Sequence, residues 1–330
     1  MKQKYLFTGL VTTLLIVASC GADNSDEPSE DFNSQVLDYL YSISGDYTLA
    51  GQHNREPNSE PSMWTDSIHA ITGKYPAFWS ADFLFQANNI DHRTTMIHEA
   101  KTQWENGAIV SLMWHCCPPD EGEPCDWNPG ILNNLLNDDQ WEDLFVEGTA
   151  LNEHWINRMD DIAVYFQYLE DNAVEVLFKP FHEMNQGLFW WGGRPGPDGT
   201  AKLYRYTHDY FTQEKALSNL IWVWDMQDLS RDFEEYNPGD EYWDVFAFDI
   251  YGTGFDPSWY EYILPIVGDK PIAIGECAKL PSAEVLATQP RWIYFMPWAE
   301  LVKRENTLAE IRAIYENPRV ITLDEMPGWE

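Results

Sequence analysis

Basic residues are scarce in this 330-residue chain: 20 Lys and Arg stand against 54 Asp and Glu, a net charge of −34. Such a surface repels polyanions and anionic lipid, so nucleic acid is excluded as a partner class while neutral polysaccharide is not. No Gly-x-Gly-x-x-Gly turn follows an early strand, and the chain has neither a P-loop nor a Gly-x-Ser-x-Gly elbow. These absences remove the dinucleotide-binding, NTPase and α/β-hydrolase readings. There is no internal repeat, and no domain linker follows residue 36. The apolar run from Leu6 to Val17 is too short to span a bilayer, which takes about 20 residues. Cysteines number only five: Cys20, Cys116, Cys117, Cys125 and Cys277.

What is present begins with an export signal. Lys2 and Lys4 precede the Leu6–Val17 run, and Val17-Ala18-Ser19-Cys20 closes it, the layout of a secretory leader. A Cys directly after small residues resembles a bacterial lipobox, which implies a lipidated Cys20 and a chain anchored to the outer membrane, facing outward. Acidic residues just behind it resemble the surface-export signal of Bacteroidetes lipoproteins. Residues 1–20 are therefore expected to be leader, 21–36 an acidic flexible tether and 37–330 one folded domain. The stretch from Gly21 to Asp31 is acidic, contains Ser and Pro and lacks aromatics, so it cannot bury a core. In an exported protein a bridge from Cys116 or Cys117 to Cys125 would staple the Pro-rich loop between them. Free thiols are the alternative. A metal site built from His115, Cys116, Cys117 and Cys125 lacks the Cys-x-x-Cys spacing of zinc ligands.

Short β-type runs alternate with helical stretches from about residue 47 onward. Candidate strands are Tyr47–Gln52, Ala77–Asp82, Ala108–His115, Val174–His182, Leu220–Trp224, Val245–Tyr251, Ile272–Glu276 and Trp292–Met296. They are apolar on both faces, as parallel strands covered by helices must be. Between them Trp155, Met159, Ile162, Phe166 and Leu169 recur at helical spacing, marking one buried stripe. Thr307-Leu308-Ala309-Glu310 has the form of a capping box, and Asn317-Pro318 stops the helix it opens. Eight strands separated by helices within about 300 residues predict an α/β fold, a single (β/α)8 TIM barrel.

In such a barrel, groups at the C-terminal ends of the strands form the catalytic face. Those ends carry Gln52-His53-Asn54, Asp82, Trp114-His115, His182-Glu183, Asp249-Ile250-Tyr251, Glu276 and, after the last strand, Trp298. Strand-end His53 has an ordinary structural reading, and Asp82 has one as the cap of the following helix. Glu183 and Glu276 are harder to absorb that way, since Lys179 and Lys279 are the only nearby basic residues. Hydrolysis of a glycosidic bond needs two carboxyl groups flanking it, one to protonate the departing oxygen and one to attack carbon or activate water. The excess of aromatics, 15% of the chain with sixteen Trp, suits a cleft that packs against the C–H faces of pyranose rings.

The block Lys179-Pro180-Phe181-His182-Glu183-Met184-Asn185, followed by Phe189-Trp190-Trp191-Gly192, resembles glycoside hydrolase family 26. So do Gly51-Gln52-His53, Trp114-His115, Asp249-Ile250-Tyr251-Gly252, Gly275-Glu276 and Trp298. The likeness runs over residues 37–330 and implies a retaining endo-β-1,4-mannanase with Glu183 as acid/base and Glu276 as nucleophile. It further implies that His182 and Tyr251 hydrogen-bond around the nucleophile, that His115 and Asp249 line the subsite of the reacting sugar, and that Trp298 floors it. Phe189, Trp190 and Trp191 are expected to supply apolar surface beside Glu183, with Trp191 in contact with substrate. Two positions depart from the family pattern: Leu188 stands where Trp is common, and Lys179 where Arg is common. Both are expected to affect subsite preference and not the chemistry. No cofactor is expected, and the enzyme should act as a monomer on β-mannan. Other readings are β-1,3-xylan or mixed-linkage β-glucan as the polymer, a glycan-binding lipoprotein without catalysis, and a small-molecule isomerase or aldolase on the same barrel.

Overall fold

The computed structural model describes residues 34–329. The leader, Cys20 and most of the acidic tether lie outside the described residues. Among the described residues no helix is long and apolar enough to cross a membrane.

Eight strands form the barrel: β1 Thr48–Asn54, β2 Phe78–Asp82, β3 Ile109–Met113, β4 Val176–Lys179, β5 Leu220–Gln227, β6 Val245–Ile250, β7 Ile272–Cys277 and β8 Trp292–Pro297. Each pairs in parallel with its sequence neighbour. β8 returns to β1 through Leu49↔Tyr294, and β1 to β2 through Gly51↔Phe78, which closes the sheet. A two-residue strand, β9 (Val320–Ile321), adds to β1 outside the ring. Every residue of β1 to β4 and of β6 to β8 is buried, as expected of strands packed inside against each other and outside against helices. Gly51 lets two strands approach closely, because a Cβ there would sit 2.5 Å from the Phe295 carbonyl oxygen.

The helix Ala150–Glu170 buries Trp155, Met159, Ile162, Phe166 and Leu169, the stripe expected from spacing. Thr307 and Glu310 form the reciprocal capping box at the start of Leu308–Tyr315. The first helix, Gln35–Ile43, begins two residues earlier than the domain expected from composition. Ser34 caps it, and Glu175 accepts the Gln35 and Val36 amides at 3.0 and 3.1 Å. A carboxylate on the exposed donors of a helix N-terminus is favourable, and it pulls this end of the tether region into the fold.

Strand ends differ from the sequence reading where special residues act. β4 stops at Lys179, not His182, because Pro180 offers no N–H to the ladder and Glu183 adopts φ +50°. β3 ends at Met113, leaving Trp114 and His115 on the loop. β5 runs on through Asp225 to Gln227, so a buried carboxylate lies within a strand that had been expected to stop at Trp224. Cys117 bonds Cys125, while Cys116 and Cys277 are buried free thiols.

Candidate active site

A cavity of about 500 Å³ opens where the C-terminal ends of the strands converge, lined in part by His115, His182, Glu183, Tyr251, Glu276 and Trp298. A second concavity of similar size lies between the helices Met63–Thr72 and Arg93–Glu105 and contains none of the strand-end groups.

Glu183 and Glu276 face one another across the cavity. One carboxylate oxygen from each, together with one from Asp249, all fall within 4.8 Å of each other. Both glutamates are nearly buried, at 5% and 3% exposure, yet their surroundings differ. Glu276 accepts the Tyr251 hydroxyl at 2.8 Å on Oε2 and the Lys179 ammonium at 2.9 Å on Oε1. Among the described residues, only the Gln186 amide bonds the Glu183 carboxylate, and Gln186 is held in turn by Gln227 at 2.9 Å. Burial first, then the charges of Glu276 and Asp225, push the Glu183 carboxyl well above its ordinary value, so it stays protonated where an ordinary Glu is ionised. The backbone N–H of Glu183 donates to Asp225 Oδ1 at 2.8 Å. That bond helps retain a left-handed backbone that costs a residue with a Cβ about 1–3 kcal/mol.

Beneath the two glutamates lies a buried set of charges. Lys179 Nζ is 3.0 Å from Asp225 Oδ2 and 3.6 Å from Asp249 Oδ2 in addition to its contact with Glu276. Burial alone would lower the Lys179 ammonium, but Asp225, Asp249 and Glu276 outweigh it and hold the group well above its usual range. Burial, reinforced by Asp225 and Glu276, raises the Asp249 carboxyl well above its own. One cation cannot balance four acids, and burial with mutual repulsion raises the carboxyls of Glu183, Asp249 and, less strongly, Asp225, which Lys179 draws back down.

The cavity walls are aromatic. Trp298, half-buried, stacks on His53 at 4.2 Å. His53 itself is a structural group: it is fully buried, contacts Ser80 Oγ at 2.9 Å, and burial drops its pKa to about 3. Asp82 does not cap a helix. It accepts the His115 amide at 3.1 Å and a short contact from the His115 ring, fixing that ring at the cavity edge. Burial would raise Asp82, but the adjacent His115 brings it to about 2, so it remains ionised.

Four expectations are corrected. His182 donates nothing to Glu276; its Nδ1 is buried without a partner and its ring packs against His115, Phe189 and Trp191. Asp249 is fully buried under the nucleophile position and does not line the cavity. Trp191 is likewise fully buried, stacked behind Phe189 at 4.5 Å with its indole N–H on the His182 carbonyl at 3.0 Å, so Phe189 and not Trp191 faces the cavity. Lys179, expected to leave the chemistry untouched, makes a direct ion pair with Glu276. Residues that sequence reasoning missed are Asp225 beneath the site and Arg55, Glu56, Leu84, Phe85, Gln86 and Trp127 on its walls. Strand-end position was the available signal for Arg55 and Leu84, each one or two residues beyond a strand; Trp127 lies on a long loop and carries no such signal.

A closed (β/α)8 barrel with two buried glutamates of opposed surroundings at its C-terminal mouth, beside aromatic walls, defines a glycoside hydrolase. The Glycosyl hydrolase family 26 model matches residues 26–325, and the chain belongs to that family. It is 32% identical over 319 residues to a mannan endo-1,4-beta-mannosidase of Thermothelomyces thermophilus, covering 92% of this chain and 64% of that protein. It is 27% identical over 320 residues to mannan endo-1,4-beta-mannosidase A and B of Caldalkalibacillus mannanilyticus, covering 88% of this chain and 61% of that one. The chain thus spans less than two thirds of the length of these relatives. Among solved structures, GH26A from Muricauda sp. MAR_2010_75 superposes with a TM-score of 0.84 at 33% identity, covering 91% and 98% of the two chains. A beta-mannanase from a symbiotic protist of the termite Reticulitermes speratus, complexed with gluco-manno-oligosaccharide, gives 0.77 at 27% identity, covering 88% and 93%.

Proposed function

We propose that the protein is a retaining endo-β-1,4-mannanase that hydrolyses mannan, galactomannan or glucomannan by double displacement. The carrying observation is the proximity of Glu183 and Glu276, whose nearest grouping of oxygens lies within 4.8 Å. Carboxyl groups about 5–5.5 Å apart suit direct attack on the anomeric carbon, whereas about 6.5–9.5 Å leaves room for an intervening water. The family membership and the mannan endo-1,4-beta-mannosidase names of the relatives support the choice of polymer.

In this reading Glu276 Oε attacks the anomeric carbon while the protonated Glu183 gives its proton to the departing glycosidic oxygen. Carbon–oxygen bond cleavage leaves the Glu183 carboxylate and a glycosyl ester on Glu276. Glu183 then removes a proton from water, whose oxygen displaces Glu276 and restores both groups. The Tyr251 hydroxyl and Lys179 aim and stabilise the ionised Glu276, and Trp298 and Phe189 offer faces to the sugar rings.

Conversion of Glu276 to Ala should abolish mannan turnover; near-normal activity in that variant ends the assignment. Proton NMR of the first-formed product anomer tests retention, and an inverted product overturns it. Reducing-end release from mannan, β-1,3-xylan and mixed-linkage β-glucan, measured side by side, tests the polymer. Anchoring through a lipidated Cys20 is part of the same proposal, supported by the leader and lipobox sequence. Replacement of Cys20 by Ala should then move the protein from the membrane fraction to the soluble one.

A further inference from the structure

Asp225 sits in the middle of a strand, fully buried, with no solvent to stabilise its charge. A carboxylate in that position is costly unless both oxygens are used, and here both are. Oδ1 accepts the backbone N–H of Glu183 at 2.8 Å, and Oδ2 accepts the Lys179 ammonium at 3.0 Å. The Asp225 carbonyl takes the Met184 amide at 3.3 Å as well. Lys179 continues the chain to Glu276 Oε1 at 2.9 Å. Space for this arrangement is created by the residue just before Glu276. A Cβ on Gly275 would lie 2.7 Å from Asp225 Oδ2 and 2.5 Å from Asp249 Oδ1, closer than real Cβ contacts come, so glycine there lets two carboxylates lie under the strand.

We infer that Asp225 is a positioning residue, resting on the acid/base and nucleophile roles proposed above, that sets both glutamates through one carboxylate. On one side it pins the left-handed backbone of Glu183, which aims the acid at the cleft. On the other it shares the Lys179 charge with Glu276, so that the ammonium is held between two acids and not drawn wholly onto the nucleophile. The two halves of the reaction are thereby registered against each other by a group that touches no substrate.

Removal of the Asp225 charge has a second consequence. The groups facing Glu183 are Glu276 on β7, Asp225 and Asp228 on β5 and its loop, Lys179 on β4, and Asp249 and Tyr251 on β6 and its loop. Taking one negative neighbour from this set eases ionisation of Glu183, so the proton needed for leaving-group departure is lost at lower pH.

The test is Asp225→Asn, which keeps an acceptor for the Glu183 amide and removes the charge. It is assayed against wild type on whichever polymer the wild-type enzyme hydrolyses. The expected result is a fall of about 10- to 100-fold in kcat, smaller than the roughly 10²–10⁴-fold credited to a placed acid/base group, because the acid itself is kept. KM should change little, and the alkaline limb of the kcat/KM profile should move to lower pH. A kcat and an alkaline limb that superpose on wild type overturn the inference. So does a loss confined to the folded fraction, with normal kinetics per folded molecule. The pair Lys179→Arg and Lys179→Arg/Asp225→Asn repeats the comparison in a background that keeps a buried cation beside Asp225, so that the substitution still removes a charge. Its alkaline limb must again lie below that of the single variant, and coincident limbs overturn the inference. If wild type cleaves none of the polymers, the proposed function fails; if it cleaves one and the limbs do not move, only the role of Asp225 fails.

Discussion

Lys179 Nζ lies 2.9 Å from Glu276 Oε1, with the lysine side chain 3% exposed and the glutamate 5%. A buried ammonium in contact with the nucleophile position is an electrostatic component of the site, and its three acidic neighbours leave it no alternative protonation state near neutral pH. Breaking a buried charge set by removing one partner costs about 3–5 kcal/mol, because the remaining charges are left unpaired. Lys179→Met should therefore lower the unfolding free energy by that amount, read from the urea midpoint, and depress kcat in the fraction that folds. Lys179→Arg keeps the charge but not the compact shape, so it should recover part of the stability. A Lys179→Met protein as stable as wild type would show the ion pair to be immaterial.

On the proposed mechanism, the protonated state of Glu183 sets the upper pH boundary of activity. Its carboxyl is raised well above its ordinary value by burial and by Glu276 and Asp225. Activity requires the proton, so it is present below that raised pKa and is lost as pH climbs through it. The alkaline limb of kcat/KM on mannan should accordingly stand well above pH 4.5. Glu183→Gln removes the acid, and a positioned general acid is worth about 10²–10⁴-fold. Turnover of mannan should fall by that factor, while a dinitrophenyl oligosaccharide, whose leaving group needs no proton, should form the covalent intermediate at close to the wild-type rate. Equal losses on both substrates would remove the acid role.

The barrel was legible because its signals are local. Each strand is a short apolar run, and the stripe from Trp155 to Leu169 repeats at helical spacing. The two glutamates stood out because carboxylates terminate otherwise apolar strands. What was not legible is depth. Asp249 and Glu276 pair across β6 and β7 in register, yet one opens to the cavity and the other lies under it. Trp190 and Trp191 read alike in sequence, and both turn inward while Phe189 takes the wall. Asp225 follows Leu220-Ile221-Trp222-Val223-Trp224 and looks like the first polar residue after a strand, whereas β5 carries on beyond it. The choice between Cys116 and Cys117 likewise depends on which side of the chain faces Cys125.

Depth makes a testable distinction between two tryptophans. Trp191 is fully buried, with its indole N–H bonded to the His182 carbonyl, so it acts on the fold. Trp298 is half-buried with its ring on the cavity wall over His53, where the proposed function has it meet substrate. Trp191→Ala should cost about 3–5 kcal/mol of stability. Trp298→Ala should leave the melting temperature within a few degrees and cut kcat/KM for mannan roughly tenfold, the equivalent of about 1.4 kcal/mol for one lost aromatic face. Thermal melts and steady-state kinetics on the two variants check the contrast, and a stable Trp191→Ala protein with a raised KM would reverse it.

The Cys117–Cys125 bridge braces one wall of the cleft. Cys125 donates its amide to the Phe85 carbonyl at 3.4 Å, and Trp127, two residues on, stacks against Phe85 at 5.9 Å and meets Phe189 edge-on at 6.2 Å. The bridge spans a sequence separation of 8, for which the chain-entropy relation gives about 2–3 kcal/mol. The loop has other supports: Arg158 bonds the Pro118 and Glu121 carbonyls at 2.9 and 2.7 Å, and Arg93 pairs with Glu123 at 2.9 Å. Loss of the bridge should therefore loosen the wall without dismantling it. The Cys117→Ala/Cys125→Ala protein should unfold at a lower urea concentration by that free energy. Its KM for mannan should rise a few-fold while kcat holds, because Glu183, just after β4, and Glu276, on β7, lie outside the loop. Reduction of the wild type with dithiothreitol should reproduce both changes, and an unaltered midpoint and KM under reduction would show that the bridge supports neither the fold nor the cleft.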